Sequence, residues 1–217
     1  GRELVQKLLA GTNIALITDA GTPGISDPGE ELVKMAYEAG IEVTSLPGAC
    51  ACVTALTLSG LSTRRFVFEA FLPPDKKEHK LALERLKNET RTMIVYEAPH
   101  HLLKTLRELL ETIGNRRLTL CRELTKKHET AWQTTIEDAI TRYEQEDPKG
   151  ECVLVIEGRS QKEIEDEAKA AFEEISIEEH MKRYEDQGIV RKEAMKLVAK
   201  DRGVTKRDIY QYLLGKE

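Results

Sequence analysis

The residues from Asp19 to Glu30 have the composition most typical of a ligand-binding turn, because Gly, Asp and Pro dominate them. This turn follows the apolar run at residues 13–18, which predicts a buried parallel strand. Ligands of open α/β sheets bind beyond the carboxyl ends of strands. Gly21 and Gly24 lack a Cβ, so the backbone there can approach a ligand closely. We therefore expect a ligand at this edge of a sheet.

Three further turns that follow predicted strands carry residues suited to binding or acid–base chemistry: residues 47–51, 97–99 and 122–129. The last turn is densely charged, and its Glu123, Lys126 and Glu129 could position or deprotonate a hydroxyl group. An interdomain cluster of salt bridges is an equally good interpretation, and the residues alone leave both open. The sequence contains no nucleophile elbow, phosphate-binding loop or zinc-protease helix.

The composition argues against a metal-binding protein and against a membrane protein. The chain has 217 residues, of which 40% are hydrophobic and 33% charged, and a formal net charge of −5. Its four cysteines (Cys50, Cys52, Cys121 and Cys152) lack the paired spacing of a metal site, so we expect reduced thiols and no bound metal. No apolar run has transmembrane length. We expect a cytoplasmic protein that does not act at a membrane.

Strand and helix patterns alternate up to residue 158, which favours α/β architecture. A change in pattern at residues 61–63 predicts two α/β domains, residues 1–62 and 63–158. The predicted strands are residues 13–18, 41–46, 65–69, 92–96, 117–121, 131–135 and 152–156. The predicted helices are residues 4–9, 30–39, 49–56, 76–88, 102–113 and 136–143.

The last third of the chain has a different pattern. Residues 159–187 are rich in acidic residues and predict a solvated helix or linker. Residues 188–217 predict a helix-turn-helix-like module with its turn at Gly203. From Ile189 to Glu217 there are eight basic and four acidic residues. A packing appendage with a solvated basic face and a nucleic-acid contact are both compatible with this pattern.

Two blocks are specific enough to resemble a known family. One runs from Thr18 to Gly29 and matches Ser-Asp-Ala-Gly-Thr-Pro-x-Ile-Ser-Asp-Pro-Gly, with Thr18 in the Ser position. The other, Arg122 to Thr130, matches Arg-Glu-Leu-Thr-Lys-x-x-Glu-Thr. The chain thereby resembles the ribosomal RNA small subunit methyltransferase I family of the tetrapyrrole-methylase-like superfamily, closely up to Gly158 and more weakly beyond. The resemblance implies two α/β domains of the tetrapyrrole methylase type and a small C-terminal helical module.

The resemblance implies transfer of a methyl group from S-adenosylmethionine to a ribose 2′-hydroxyl of a cytidine in small-subunit ribosomal RNA, by a homodimer. The substrate would be the RNA or the assembled small subunit. The cofactor would bind between the two α/β domains. The cofactor-binding residues that the resemblance implies are Asp19, Ala20, Gly21, Ile25, Cys50, Ala51, Glu97 and Leu124. For the RNA phosphates we expect contacts with Arg64, Arg65, Lys76, Lys77, Lys126, Lys127, Lys206 and Arg207.

The sequence departs from the family pattern in two places. Many relatives have Pro-Gly-Pro-Ser-Ala where this chain has Pro47-Gly48-Ala49-Cys50-Ala51. The family also begins with a strand and a Thr-Pro-Ile-Gly-Asn-Leu-type loop that are not in this sequence. We therefore expect an incomplete first domain and weak or absent activity. Two alternatives stay open: C-methylation of a tetrapyrrole on the same fold, and a non-catalytic RNA-binding fragment.

Overall fold

A five-stranded sheet organises residues 1–158 in the computed structural model of the protein, which describes residues 1–214 and only the backbone at positions 168, 171 and 173. The strand order is β1-β2-β5-β3-β4. Strands β1 and β2 are parallel, whereas β5 pairs antiparallel with β2 and β3, and β4 pairs antiparallel with β3. The strands are β1 (Phe66–Phe71), β2 (Thr92–Glu97), β3 (Arg117–Arg122), β4 (Thr130–Thr135) and β5 (Cys152–Ile156).

Helices cover both faces of this sheet. Helices α4, α5 and α6 pack on the side chains of Met93, Val95 and Leu154, and α3 packs on Ile94 and Val155 of the opposite face. This alternation follows from the period of two residues in a strand. The helices of this unit are α1 (Arg2–Leu9), α2 (Glu30–Glu38), α3 (Ala51–Leu58), α4 (Lys76–Lys87), α5 (Pro99–Ile113) and α6 (Ile136–Tyr143).

The mixed α/β class is confirmed, and the strongest sequence patterns form the predicted elements. In α5, Leu102, Leu106 and Leu109 recur at helical spacing and are fully buried. The helix ends at Gly114, whose φ of +76° is accessible mainly to glycine. In α4, the Asp75 side chain accepts hydrogen bonds of 3.0 Å from the backbone N–H groups of Lys77 and Glu78.

The predicted strands at residues 13–18 and 41–46 are wrong. Within residues 1–214, neither segment forms a strand or joins the five-stranded sheet. Ile17 is 83% exposed and Leu46 is 82% exposed, so the apolar runs are not buried either. A strand needs a neighbouring strand for its backbone N–H and C=O groups, and no strand within residues 1–214 pairs with either segment. The first predicted domain thus contributes helices α1–α3 and extended loops.

Residues from Arg159 onward form a second compact unit, which is helical throughout its described part. Its helices are α7 (Gln161–Glu173), α8 (Ile177–Glu185), α9 (Arg191–Arg202) and α10 (Lys206–Leu214). Gly203, with φ of +66°, provides the predicted turn between α9 and α10. Met181, Val198 and Ile209 are buried in its core. The predicted module extends to residue 217, and its Lys216 and Glu217 lie outside the described residues.

The second unit has a histidine, His180, buried in its core. His180 is 1% exposed and stacks on Phe172, with 4.2 Å between the ring centroids. Its Nδ1 accepts a hydrogen bond of 3.2 Å from the Arg202 Nε–H, and its Nε2 lies 3.3 Å from an Asp201 carboxylate oxygen. Because Nδ1 is an acceptor, the ring is neutral and Nε2–H faces the carboxylate. Burial, and next the positive charge of Arg202, lower the pKa of His180.

The lowered pKa predicts an acid-sensitive second unit. The unfolded chain binds a proton at His180 below a pH of about 6.5, whereas the folded unit resists it, so the stabilisation present above that pH is lost as the pH falls. We expect the protection factors for hydrogen exchange in α8–α10 to fall as the pH drops below about 6.5. His180→Gln should flatten this pH dependence, and His128→Gln, which changes an exposed histidine of the first unit, should leave it unchanged. Equal pH profiles for His180→Gln and the parent chain would contradict the assignment.

No helix within residues 1–214 has the length and apolar character needed to span a membrane.

Candidate cofactor and substrate site

Two glycine-containing loops that are distant in sequence meet in the first unit. The backbone N–H and the hydroxyl of Thr22 both donate hydrogen bonds to the Ala49 carbonyl, at 2.9 and 3.1 Å. Gly21 has φ of +79°, and a Cβ there would lie 3.0 Å from the same carbonyl oxygen. A Cβ at Gly48 would lie 2.9 Å from the Thr22 hydroxyl oxygen. The approach of the two loops therefore requires glycine on each side.

Strand β2 fixes the first turn of α3. The Tyr96 hydroxyl accepts a hydrogen bond of 2.8 Å from the backbone N–H of Cys52. Burial raises the pKa of Tyr96, and the phenol therefore stays protonated. Cys50 precedes the helix and its Sγ lies 3.3 Å from Cys52 Sγ. Cys50 and Leu124 pack against the same apolar cluster between α3 and the sheet. The structure thus brings together Cys50, Ala51 and Leu124, three of the predicted cofactor residues.

The remaining predicted cofactor residues divide into two groups. Asp19, Ala20, Gly21 and Ile25 are exposed along the loop that contacts Ala49. Glu97 is buried and its side chain lies on the opposite face of the sheet, beside α5. One of its carboxylate oxygens accepts a 2.8 Å hydrogen bond from the Ala98 N–H, and the other accepts a 2.6 Å bond from the Thr105 hydroxyl. Cofactor contact by Glu97 stays a prediction, whereas its contacts with α5 are formed within the chain.

Glu97→Ala is expected to lower the free energy of unfolding by about 1–3 kcal/mol, because the Thr105 hydroxyl and the Ala98 N–H lose a buried acceptor. Glu97→Gln keeps an acceptor and should cost less. Urea unfolding of both variants measures the difference. If Glu97→Ala leaves stability unchanged but removes cofactor binding, the carboxylate serves the ligand and not the helix.

The charged turn after β3 forms a self-contained cluster. Glu123 and Thr125 have φ of +50° and +64°, values that are strained for residues with a side chain. The Lys126 ammonium lies 3.2 Å from a Glu123 carboxylate oxygen, and Glu129 accepts a 2.6 Å hydrogen bond from the Thr125 N–H. Gly150 provides the space for the Glu123 side chain, because a Cβ there would collide with it. All three predicted catalytic residues therefore belong to one turn.

The predicted RNA-binding residues do not form one surface. Arg64 and Arg65 are exposed before β1, at the sheet edge opposite the turn that carries Lys126 and Lys127. Lys76 and Lys77 begin α4, which follows the carboxyl end of β1. Lys206 and Arg207 belong to the second unit.

Sequence reasoning missed two features of the site. A groove of about 850 Å³ lies between α4 and α5, and its lining carries both charges: Lys76, Lys80, Lys87 and Lys104 alternate with Glu84, Glu97, Glu108 and Glu111. At the end of β3, the Nε of Arg122 is buried without a hydrogen-bond partner among the described residues. The only sequence signal for the second feature is the first position of the Arg-Glu-Leu-Thr-Lys block. Within residues 1–214, no group of three or more His, Cys, Asp or Glu side chains is arranged to hold a metal ion.

Comparison with known proteins places this chain in a family. Residues 1–140 match the family described as Tetrapyrrole (Corrin/Porphyrin) Methylases. The chain is 45% identical to a Ribosomal RNA small subunit methyltransferase I from Synechocystis sp., over 100% of this chain and 76% of that protein. It is 47% identical to the protein of the same name from Halalkalibacterium halodurans, over 97% of this chain and 72% of the relative.

A solved structure shows the same fold. The crystal structure of the methyltransferase CobJ superposes with a TM-score of 0.57 at 17% identity, and the match covers 72% of this chain and 69% of that one. At this identity the likeness concerns the fold alone. The two sequence comparisons extend beyond the fold, because they cover nearly all of the chain at more than 40% identity. The chain therefore belongs to the tetrapyrrole methylase family and, within it, to the ribosomal RNA small subunit methyltransferase I family.

Proposed function

We propose that this protein methylates the ribose 2′-hydroxyl of a cytidine in small-subunit ribosomal RNA, with S-adenosylmethionine as the methyl donor. The observation that carries the proposal is the contact of the two glycine loops through Thr22 and Ala49, directly before α3. These are the loops that the family resemblance assigns to the cofactor. The name shared by relatives at 45% and 47% identity supports the RNA substrate over a tetrapyrrole.

The residues around these loops fit the proposed cofactor. Exposed backbone at Asp19, Ala20 and Gly21 offers hydrogen-bonding groups for a polar amino-acid end. At the first turn of α3 the Cys52 N–H donates to Tyr96, and the Ala51 N–H is the group that suits a carboxylate. Leu124 and the exposed Ile25 provide apolar surface for an adenosine. When bound, S-adenosylmethionine supplies an electrophilic methyl group.

The chain's own task is then to align the hydroxyl and remove its proton. We propose Glu123 as the group that accepts this proton, because its carboxylate is half-buried and forms an ion pair with Lys126. Lys126 orients the carboxylate and adds a positive charge near the substrate. Glu129 holds the turn by accepting the Thr125 N–H, so its role is positioning.

We further propose that the enzyme works in the cytoplasm as a homodimer, on the RNA or on the assembled small subunit. The exposed basic residues Lys76, Lys77, Lys126 and Lys127 support contact with phosphates, because all four lie at the carboxyl side of the sheet. Lys206 and Arg207 would add contacts from the second unit.

Calorimetric titration of S-adenosylmethionine into this chain tests the proposal, beside a version extended by the N-terminal strand and loop typical of the family. Binding by either form, followed by methyl transfer to unmodified small subunits, is the expected result. Analysis of the methylated nucleoside should then give a 2′-O-methylcytidine. RNA binding without cofactor binding in both forms would instead support a non-catalytic RNA-binding protein.

A further inference from the structure

Arg122 differs from the other arginine of its strand. Both lie in β3, at opposite ends. Arg117 is 65% exposed in its side chain and forms an ion pair of 3.1 Å with Glu157. Arg122 is only partly exposed, and its buried Nε has no hydrogen-bond partner among the described residues. A guanidinium stays charged at all relevant pH values, and a buried donor without an acceptor is costly.

Three carboxylates at the ends of β2 and β3 or in the following turn have partners other than Arg122. Glu97 is bound to Thr105 and Ala98, and Glu123 is paired with Lys126. Glu129 accepts the Thr125 N–H. None of the ion pairs formed within residues 1–214 includes Arg122. Within the described residues no ion pair therefore neutralises the Arg122 guanidinium, and Glu151, beside the register partner Cys152, is the further carboxylate near this end of β3.

The alternation of side chains along β3 shows on which face of the sheet Arg122 lies. Leu118 and Leu120 of β3 pack on the face covered by α4–α6, whereas Cys121 packs on the face covered by α3. Alternation therefore places Arg122 on the α4–α6 face, next to its register partner Cys152. The proposed cofactor loops adjoin α3 on the other face. The groove with Lys76 and Lys80 lies on the same side as Arg122, between α4 and α5.

We propose that Arg122 binds a phosphate group of the RNA substrate and so positions the strand at the carboxyl edge of the sheet. This inference rests on the proposed function. The planar fork of a guanidinium matches two phosphate oxygens, and the Nη nitrogens of Arg122, which unlike its Nε are not buried, are the groups that would donate to a phosphate. The carboxylate of the cofactor is the other anion of the reaction, and the position of Arg122 across the sheet from α3 favours the RNA.

Arg122→Gln tests the inference, with Arg117→Gln as the matched control on the same strand. We expect Arg122→Gln to weaken binding of unmodified small-subunit RNA at least about tenfold. The slope of log affinity against log salt concentration should fall by about one phosphate contact. Binding of S-adenosylhomocysteine and the midpoint of thermal unfolding should not change. Arg122→Lys should keep the salt slope and lose part of the affinity.

The alternative outcomes are distinct. RNA binding by Arg122→Gln equal to that of the parent chain would overturn the inference. A parallel loss of S-adenosylhomocysteine binding would assign the cofactor carboxylate as the anion and overturn it too. If Arg122→Gln does not fold, Arg122→Lys decides: a partial loss of RNA affinity with an unchanged salt slope supports a phosphate contact, and parent-like RNA affinity contradicts it. Absence of RNA binding by the parent chain would refute the proposed function itself.

Discussion

Gly21→Val is expected to weaken S-adenosylmethionine binding by about 10- to 100-fold or more, because two costs add at this position. The φ of +79° is unfavourable for a β-branched residue. The new Cβ would also lie 3.0 Å from the Ala49 carbonyl oxygen, which is backbone and has little freedom to move. The variant should therefore separate the two loops that meet through Thr22. Calorimetric titration of the cofactor measures the loss.

Gly40→Val is the matched control for this substitution. Gly40 has a similar φ of +71°, but a Cβ there meets no atom within 4 Å. Both variants thus carry the same backbone strain, and only Gly21→Val disturbs the contact with Ala49. Cofactor affinity reduced equally in both would mean that general destabilisation, and not the loop contact, controls binding.

The sequence predicted best those elements whose signal is local. The stripe of leucines in α5 and the Asp75 cap of α4 each act within one or two helical turns, so the pattern and the physical cause coincide. The apolar run of β5 is fully buried in the middle of the sheet, as its composition indicates. The residues that stabilise the ends and the buried face of α4 and α5 are near in sequence. Strand β5 is covered on both faces of the sheet, so its whole apolar run is buried.

The errors concern partners that are remote in sequence. Residues 13–18 have an apolar pattern typical of a buried strand, yet a pattern cannot show whether another strand supplies the ladder of hydrogen bonds. The bond from Thr22 to Ala49 joins residues 27 positions apart, and no local feature predicts it. The absence of a hydrogen-bond partner for Arg122 Nε depends on the residues packed around it, so the sequence could not predict it either.

For the candidate site, too, the sequence predicts which segments are involved but not which side chains are in contact. Family blocks identified the loops at residues 19–25 and 47–51 and the turn at residues 122–130, and the structure shows which of their residues share contacts. Glu97 illustrates the difference. Its position at the end of β2 is evident from the sequence. Whether its side chain lies on the α3 face or on the α5 face of the sheet depends on how the helices pack. Only the fold reveals that its carboxylate is bound to α5.

Glu123→Gln is expected to reduce kcat for methyl transfer by about 10²- to 10⁴-fold, the range typical of losing a general base. The substitution preserves the shape of the side chain and its place beside Gly150, but an amide cannot accept the proton of the ribose hydroxyl. Cofactor binding should be unchanged, because Glu123 lies outside the loops at Gly21 and Cys50. Initial rates of transfer of a labelled methyl group to unmodified small subunits provide the measurement, in whichever form of the chain has the higher parent activity.

Glu129→Gln is the matched control from the same turn. Its amide oxygen can still accept the Thr125 N–H, so the positive-φ conformation of the turn should persist and the rate should change little. A strong effect of Glu129→Gln with a weak effect of Glu123→Gln would exchange the two roles. Full methyl transfer by Glu123→Ala would exclude a catalytic carboxylate at this position, and the ion pair with Lys126 would then serve only to hold the turn. The strain at Glu123 makes a large loss for Glu123→Gln and a small one for Glu129→Gln the expected result, because unfavourable backbone conformations persist where a side chain must be held in one direction for function.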